Sequence, residues 1–317
     1  MDKTGSNRPT RIGVLPLPGF ALMSYACVVE PFRAANLLAR RVLYEMVHFS
    51  SGGAVPSSGA VVAGATAEVG ETPDLDILFV VAGGDPAGFD DARVLGWLGR
   101  MARRGVVLGG VSGGPVILAR AGLMAGRRMT VHWEHATALA EISPGLMIER
   151  SLYVIDRDRV TCAGGTAPLD LMHTLIARDH GRAFARRVSD WFLHTDIRPA
   201  SGAQRGGLVE RVGTTAAPVL DAVEAMENHV ADPLVLADLA AIAGVSARQL
   251  NRVFRDRLGT STMGYYRMLR LDVANRLMAQ SPLPLTEIAL ATGFANSAHF
   301  SRAYRQKFGK APSRMRR

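Results

Sequence analysis

Gly110–Gly114 (GVSGG) carries the plainest chemical signature in this sequence. It fits GxSxG, in which a strained strand-to-helix turn lifts a serine hydroxyl above a sheet. Read bare, it makes Ser112 a nucleophile, with His132, His135 and His173 as available bases and Asp170 and Glu30 as available acids. Two other readings use the same residues. Glycines after a buried strand allow a helix to pack close. They also leave backbone N–H groups at a helix N-terminus, an anion site without catalysis. His132–His135 (HWEH) sets two imidazoles three residues apart beside a carboxylate. It lacks the HExxH spacing and has no cysteine nearby, so a helix start and pocket wall are expected, and no metal. No motif implies a cofactor.

A second constellation is duplicated. Laid on Leu285–Gly309, Leu236–Gly259 matches Leu239 with Ile288, Ala240 with Ala289 and Gly244 with Gly293. After one extra residue, Leu250 matches Phe300, Arg252 Arg302, Phe254 Tyr304, Arg255 Arg305 and Gly259 Gly309. Each copy reads as helix, glycine turn, helix. Ser246 in the first copy, and Asn296 or Ser297 in the second, are placed to cap the second helix. Leu250, Phe254 and Leu258, like Phe300, Tyr304 and Phe308, recur every fourth residue and form a core face. The opposite faces carry Arg248, Asn251, Arg252 and Arg255, then His299, Arg302 and Arg305. Donors in the first half of such a helix are what reading base edges in a major groove requires. Two readers would enter successive groove segments about one DNA turn apart. A helical protein-interaction module with basic faces is the competing reading.

These residues need elements to hold them. Arg11–Leu17, Tyr44–Phe49, Asp76–Ala82, Val106–Val111, Arg128–His132, Met147–Ile155 and Arg159–Ala163 read as strands. Helical patterns lie between them and run on to His194, so a doubly wound α/β sheet of the flavodoxin-like kind is expected. Arg198–Thr215 is rich in Gly, Ser, Ala and Arg, and from Pro218 onward only helical patterns follow. The expected organisation is a flexible tail at 1–10, an α/β domain at 11–198, a linker at 199–214 and an all-α domain at 215–317.

The 317 residues carry 37 Lys and Arg against 28 Asp and Glu, a formal charge of +9. Residues 1–210 hold 22 basic and 20 acidic side chains; residues 211–317 hold 15 and 8; from Ser246 onward the count is 14 against 3. That density suits a polyanion, most simply double-stranded DNA. At 48% hydrophobic residues, wholesale disorder is excluded. Two distant cysteines, Cys27 and Cys162, make neither a disulfide framework nor a metal pair and read as reduced, buried thiols. No signal-like or membrane-spanning run is seen, and a cytoplasmic location is expected.

The second copy, GFANSAHFSRAYRQKFG followed by Ala311-Pro312-Ser313, closely resembles the signature of the AraC/XylS regulators. The resemblance implies two helix-turn-helix units joined by a long helix at about Thr262–Ala279. It further implies base reading by Arg248, Asn251 and Arg252 in one unit and by Ser297, His299 and Arg302 in the other, with Arg255 and Arg305 on phosphate. The front resembles the PfpI/glutamine-amidotransferase-like fold. Many of its active members have a cysteine followed by histidine where Ser112 and Gly113 stand here, so no enzyme is expected. The combination, with ARAGLMAGRRMTVHW at Ala119–Trp133 and TCAGGTAPLD at Thr161–Asp170, resembles the GlxA-type regulators.

That resemblance implies a degenerate pocket sensing a small nitrogenous metabolite, an amino acid or quaternary amine. It also implies a homodimer through the front domain, an activator's role and contact with RNA polymerase. Ligands of this fold sit beyond the carboxyl ends of the strands. The expected pocket is therefore Phe20, Glu30, Gly84, Ser112, Gly113, His132 and Trp133, with Tyr25 nearby. A carboxylate would rest on elbow and glycine-turn N–H groups, and a cationic head on Phe20, Trp133 and Glu30.

Overall fold

The computed structural model describes residues 8–280 and 283–314. The chain divides into two units, Met1–Gln204 and Arg205–Arg317. Seven residues of the expected tail lie outside the described residues. The other three are ordered: Arg8 pairs with Asp74 and Asp76, and the first strand starts at Thr10.

In the front unit, Thr10–Pro16 (β1) leads through Leu22–Ala39 (α1) to Tyr44–Ser50 (β2). Three two-residue strands follow, Val55–Pro56 (β3), Val62–Ala63 (β4) and Ala67–Glu68 (β5). Next come Ile77–Ala82 (β6), Ala92–Arg103 (α2), Val107–Ser112 (β7), Gly114–Arg120 (α3), Arg128–Met129 (β8) and Trp133–Ile142 (α4). Met147–Ile148 (β9), Tyr153–Asp156 (β10), Arg159–Cys162 (β11), Ala167–His180 (α5) and Arg182–Trp191 (α6) complete it. The main sheet runs β10-β11-β7-β6-β1-β2-β5. Its parallel core, β2-β1-β6-β7-β11, has the flavodoxin-like order, with the switch point beside β1 and β6.

The apolar run of β6 is buried along its length because both faces of the sheet are covered. Ile77, Phe79 and Val81 join Val28, Phe32, Leu171 and Leu175 on the α1/α5 side. Leu78, Val80 and Ala82 join Val94, Trp97 and Ile117 on the α2/α3 side. The two-residue alternation of a strand thus feeds two cores.

Two expected strands are shorter than expected. Only Arg128–Met129 of the run to His132 pairs, and it pairs with β9, outside the main sheet. The run Met147–Ile155 breaks after Ile148, because Ser151 carbonyl accepts from Thr130 Oγ1 and Leu152 N–H donates to Ala200 carbonyl. The sheet is not wholly parallel either. β10 and β11 are joined by Arg157-Asp158, with Arg157 at φ 58°, and a two-residue link admits only antiparallel pairing.

The expected linker is not a plain coil. Ala200 holds Leu152, and Gln204 Nε2 donates to Thr130 Oγ1, Val131 carbonyl and Ser151 carbonyl at 3.0, 3.1 and 2.8 Å. Leu208–Val212 forms a helix (α7) whose Arg211 pairs with Glu227.

The back unit is helical throughout: Ala217–Asn228 (α8), Leu236–Ile242 (α9), Ala247–Leu258 (α10), Thr262–Gln280 (α11), Leu285–Ala291 (α12) and Ser297–Phe308 (α13). The duplication is structural. Gly244 and Gly293 turn at φ 64° and 71°, and Gly259 and Gly309 end α10 and α13 at 67° and 72°, a left-handed region that favours glycine. Leu250, Phe254, Phe300 and Tyr304 are fully buried. Ser246 caps α10 in a reciprocal capping box with Gln249. Asn296, not Ser297, caps α13, through its side chain on His299 N–H.

Candidate functional site

β7 ends at Ser112, which has φ 60° and is nearly buried. A non-glycine residue there costs about 1–2 kcal/mol, so the surroundings must hold it. They do so through glycines. A Cβ on Gly114 would sit 2.1 Å from Val80 carbonyl oxygen, one on Gly110 2.6 Å from Pro115 N, and one on Gly164 2.7 Å from Ser112 Cβ. His132 N–H donates to Ser112 carbonyl at 3.3 Å. The elbow is therefore the strained turn that GxSxG requires, built into a closed wall.

Gly113 and Gly84 flank it. Gly84 has φ 63° and open space where a Cβ would point. Gly113 N–H donates to Ala82 carbonyl at 3.0 Å, extending the β6–β7 pairing by one bond. This corrects the expected use of the elbow amide: that N–H is engaged and does not face a ligand carboxylate. His132 caps α4, its Nδ1 accepting from Glu134 N–H, and its ring lies 5.3 Å from that of the half-buried Trp133. Burial pushes the His132 pKa down, against a smaller upward pull from Glu134. The imidazole is thus kept neutral, as its acceptor role in the cap requires.

Two expected pocket residues point elsewhere. Phe20 is fully buried in the core against Tyr25, so its face is not offered to a ligand. Glu30 pairs with Arg33 at 2.6 Å on the surface of α1. The α1 side chain that reaches the elbow is Ser24, almost fully buried, whose Oγ accepts from Gly165 N–H at 2.9 Å. Glu30 lies six residues on, a third of the way around the helix. Nothing in the spacing of MSYACVVE singles out Ser24.

Among the described residues no hydrogen bond joins Ser112 Oγ to an imidazole, and His173 meets Ser189 instead. Asp170 is fully buried and committed elsewhere. Its Oδ1 accepts from His194 Nε2 and Arg198 N–H at 2.8 and 2.9 Å, and its Oδ2 from Arg198 Nε and Nη2 at 3.0 and 2.7 Å. Arg198 Nη2 also donates to Thr166 Oγ1 at 2.9 Å. Sequence spacing did not reveal this fork, because its members lie 24 and 28 residues apart. Burial pushes the Cys27 and Cys162 thiols up to about 11 and about 12, leaving them protonated and unreactive. Among the described residues no group of three His, Cys, Asp or Glu gathers to hold a metal, and no helix is long and apolar enough to cross a membrane.

In the back unit, Arg248, Arg252 and Arg255 stand exposed on α10 and line an open depression with Gln249, Asn251 and Asp256. Asn251 Oδ1 accepts from Thr262 N–H at 3.0 Å, capping α11. That ties the amide to the start of α11 rather than leaving it free to turn to a base edge, its expected role. On α13, Ser297, His299, Arg302 and Arg305 are exposed. The His299 ring stands edge-on to Phe294 at 5.6 Å, which holds it near the start of the helix.

Comparison with known proteins assigns both units. Residues 12–178 match the DJ-1/PfpI family and residues 239–317 a helix-turn-helix domain. The HTH-type transcriptional regulator GlxA of Rhizobium meliloti is 45% identical over 314 residues, 98% of this chain and 97% of that one. The chain belongs to the GlxA-type transcriptional regulators of the AraC family. The Pseudomonas aeruginosa regulators CdhR and ArgR are 39% and 35% identical over 95% and 96% of the chain, covering 90% and 92% of their own lengths. A THiJ/PfpI family protein from Pseudomonas syringae superimposes with a TM-score of 0.54 at 26% identity, covering 75% of this chain and 91% of its own. This GlxA-type regulator binds DNA through its helix-turn-helix domain and is not an enzyme.

Proposed function

We propose that this regulator is a cytoplasmic activator, a homodimer through its front unit, that switches on binding a small nitrogenous metabolite at the elbow. The observation that supports the reading is the elbow itself. It keeps a strained Ser112 walled by glycines, while among the described residues no imidazole is hydrogen-bonded to its hydroxyl and the acids Asp170 and Glu30 are committed to arginines. Strain maintained without a reaction fits recognition. The ligand's cationic end would meet the faces of Trp133 and neutral His132. Its carboxylate would lie toward the open backbone of Gly84 and the hydroxyls of Ser112 and Ser24. Arg248, Arg252, Ser297, His299 and Arg302 would read bases, and Arg255 and Arg305 would hold phosphate. Contact with RNA polymerase belongs to the same proposal.

The test is calorimetry and thermal shift on the full chain with glycine betaine, carnitine and arginine. Binding by one of them, weakened at least tenfold in Trp133→Ala, supports the site. No response to any amine or amino acid overturns it. Ser112→Ala should weaken ligand binding while leaving DNA binding intact; a measurable amide hydrolysis by the native chain that is lost in that variant would instead restore the nucleophile.

A further inference from the structure

α11 packs against α10 of the first helix-turn-helix and against α12 and α13 of the second. Arg270, near its middle, touches both. Its guanidinium carbon lies 5.4 Å from the Tyr266 ring centroid and 4.7 Å from that of Phe294. Nη1 donates to Gly293 carbonyl at 2.8 Å, while Nε is buried without a partner among the described residues. Two aromatic faces and a carbonyl therefore hold this cation, and among the described residues no carboxylate does.

The partners on the two sides belong to different units. Tyr266 is fully buried in the core of the first, with Leu239, Leu250 and Phe254. Its hydroxyl donates to His229 carbonyl and accepts from Leu234 N–H, just ahead of α9. Gly293 and Phe294 form the turn of the second unit. A Cβ on Gly293 would sit 2.3 Å from Pro233 Cγ, so this turn is seated against the segment that opens the first unit. Phe294 in turn packs on Phe300 at 5.4 Å and on His299 at 5.6 Å, both on α13. A chain of contacts thus runs from the first core through Arg270 to the second reading helix. The duplication does not repeat it: Gly244 has nothing within 4 Å of a Cβ, and Val245 stands where the second copy has Phe294.

We propose that Arg270 is a positioning residue that fixes α13 relative to α10 and so sets the separation of the two DNA sub-sites the regulator accepts. A rigid clamp admits one separation, because each helix must meet its groove in phase. Without the clamp, the second reader keeps its own contacts but loses its fixed phase.

The experiment selects binding sites for the full chain from a duplex library with a randomised 30-base-pair core, comparing native protein with Arg270→Met. The native chain should enrich two sub-motifs at a single separation. Arg270→Met should enrich the same sub-motifs over several separations and bind the native arrangement about tenfold more weakly. On duplexes with one base pair inserted between the sub-motifs, its relative loss should be smaller than that of the native chain. A single unchanged separation in the variant overturns the proposal. So does loss of the second sub-motif alone, since Arg270 would then shape the reading surface rather than its placement. If circular dichroism shows Arg270→Met unfolded, Phe294→Leu decides. It keeps the turn apolar and removes the ring beneath the cation, and it should broaden the accepted separations in the same way; an unchanged separation in Phe294→Leu refutes the clamp.

Discussion

Replacing Arg198 with methionine should strongly destabilise the front unit. Asp170 is 0% exposed, while the side chains of His194 and Arg198 are 17% and 35% exposed. The fork supplies two of the four hydrogen bonds to the carboxylate. Arg198→Met leaves that charge buried with His194 and one backbone N–H, and breaking a buried pair in this way costs about 3–5 kcal/mol. Asp170→Asn should cost less, about 2 kcal/mol, because Arg198 recovers water through its exposed third. The double variant Asp170→Leu/Arg198→Met removes both charges and should return to within about 2 kcal/mol of the native chain. Its non-additivity is the signature of a direct pair. The assay is denaturant unfolding followed by tryptophan fluorescence. Trp97, Trp133 and Trp191 all lie in the front unit, so the signal reports that unit alone. An Arg198→Met cost below about 1 kcal/mol, or a double variant equal to the sum of the singles, would refute the argument that a buried carboxylate depends on this fork.

Acidification should weaken the same fluorescence transition. Burial lowers the pKa of His48, His132, His173 and His180, so their stabilisation is complete above the unfolded value near 6.5 and is lost as pH falls from there toward the lowered folded values. A midpoint that rises between pH 7.5 and 5.5 would contradict this. In DNA binding, Arg252→Ala and Arg302→Ala should each relax preference at one base position by about 1–3 kcal/mol. Arg255→Ala and Arg305→Ala should weaken all sequences alike and lower the salt slope by about one unit; the reverse pattern in a mobility-shift series would exchange the two assignments. Asn251→Ala should cost the back unit about 1 kcal/mol as a lost cap, with sub-site preference unchanged; a new base tolerance at one position would return Asn251 to the readers.

Much of the fold was legible because periodicity is local. The helical pattern between the first two expected strands became α1, and the expected strand at Asp76–Ala82 forms from Ile77 onward with no polar face, as a doubly covered strand requires. The duplication showed the paired glycine turns, buried rows and exposed arginines of α10 and α13 without any partner sequence. The surroundings of the elbow were less legible. Ser112, Gly113 and His132 do converge at the carboxyl end of β7, but helix phase put Ser24 there in place of Glu30, and core packing took Phe20. Within the linker, composition shows that Ser201–Gly207 is polar, not that Gln204 finds three acceptors on the sheet's edge loops.

The amino-acid sequence by itself determined the two-domain plan, the elbow, the duplicated helix-turn-helix and the charge split between the units. Each depends on neighbours within a turn of helix, a strand or a tight bend, where spacing dictates geometry. Only the tertiary structure decided which polar groups remain available. Gly113 N–H is taken by Ala82, Asp170 by Arg198, Asn251 by Thr262, and Arg270 by a carbonyl 23 residues away. A buried donor or acceptor must be satisfied by whatever the fold brings within about 3 Å of it. That partner is chosen by packing between distant segments, on which local spacing is silent.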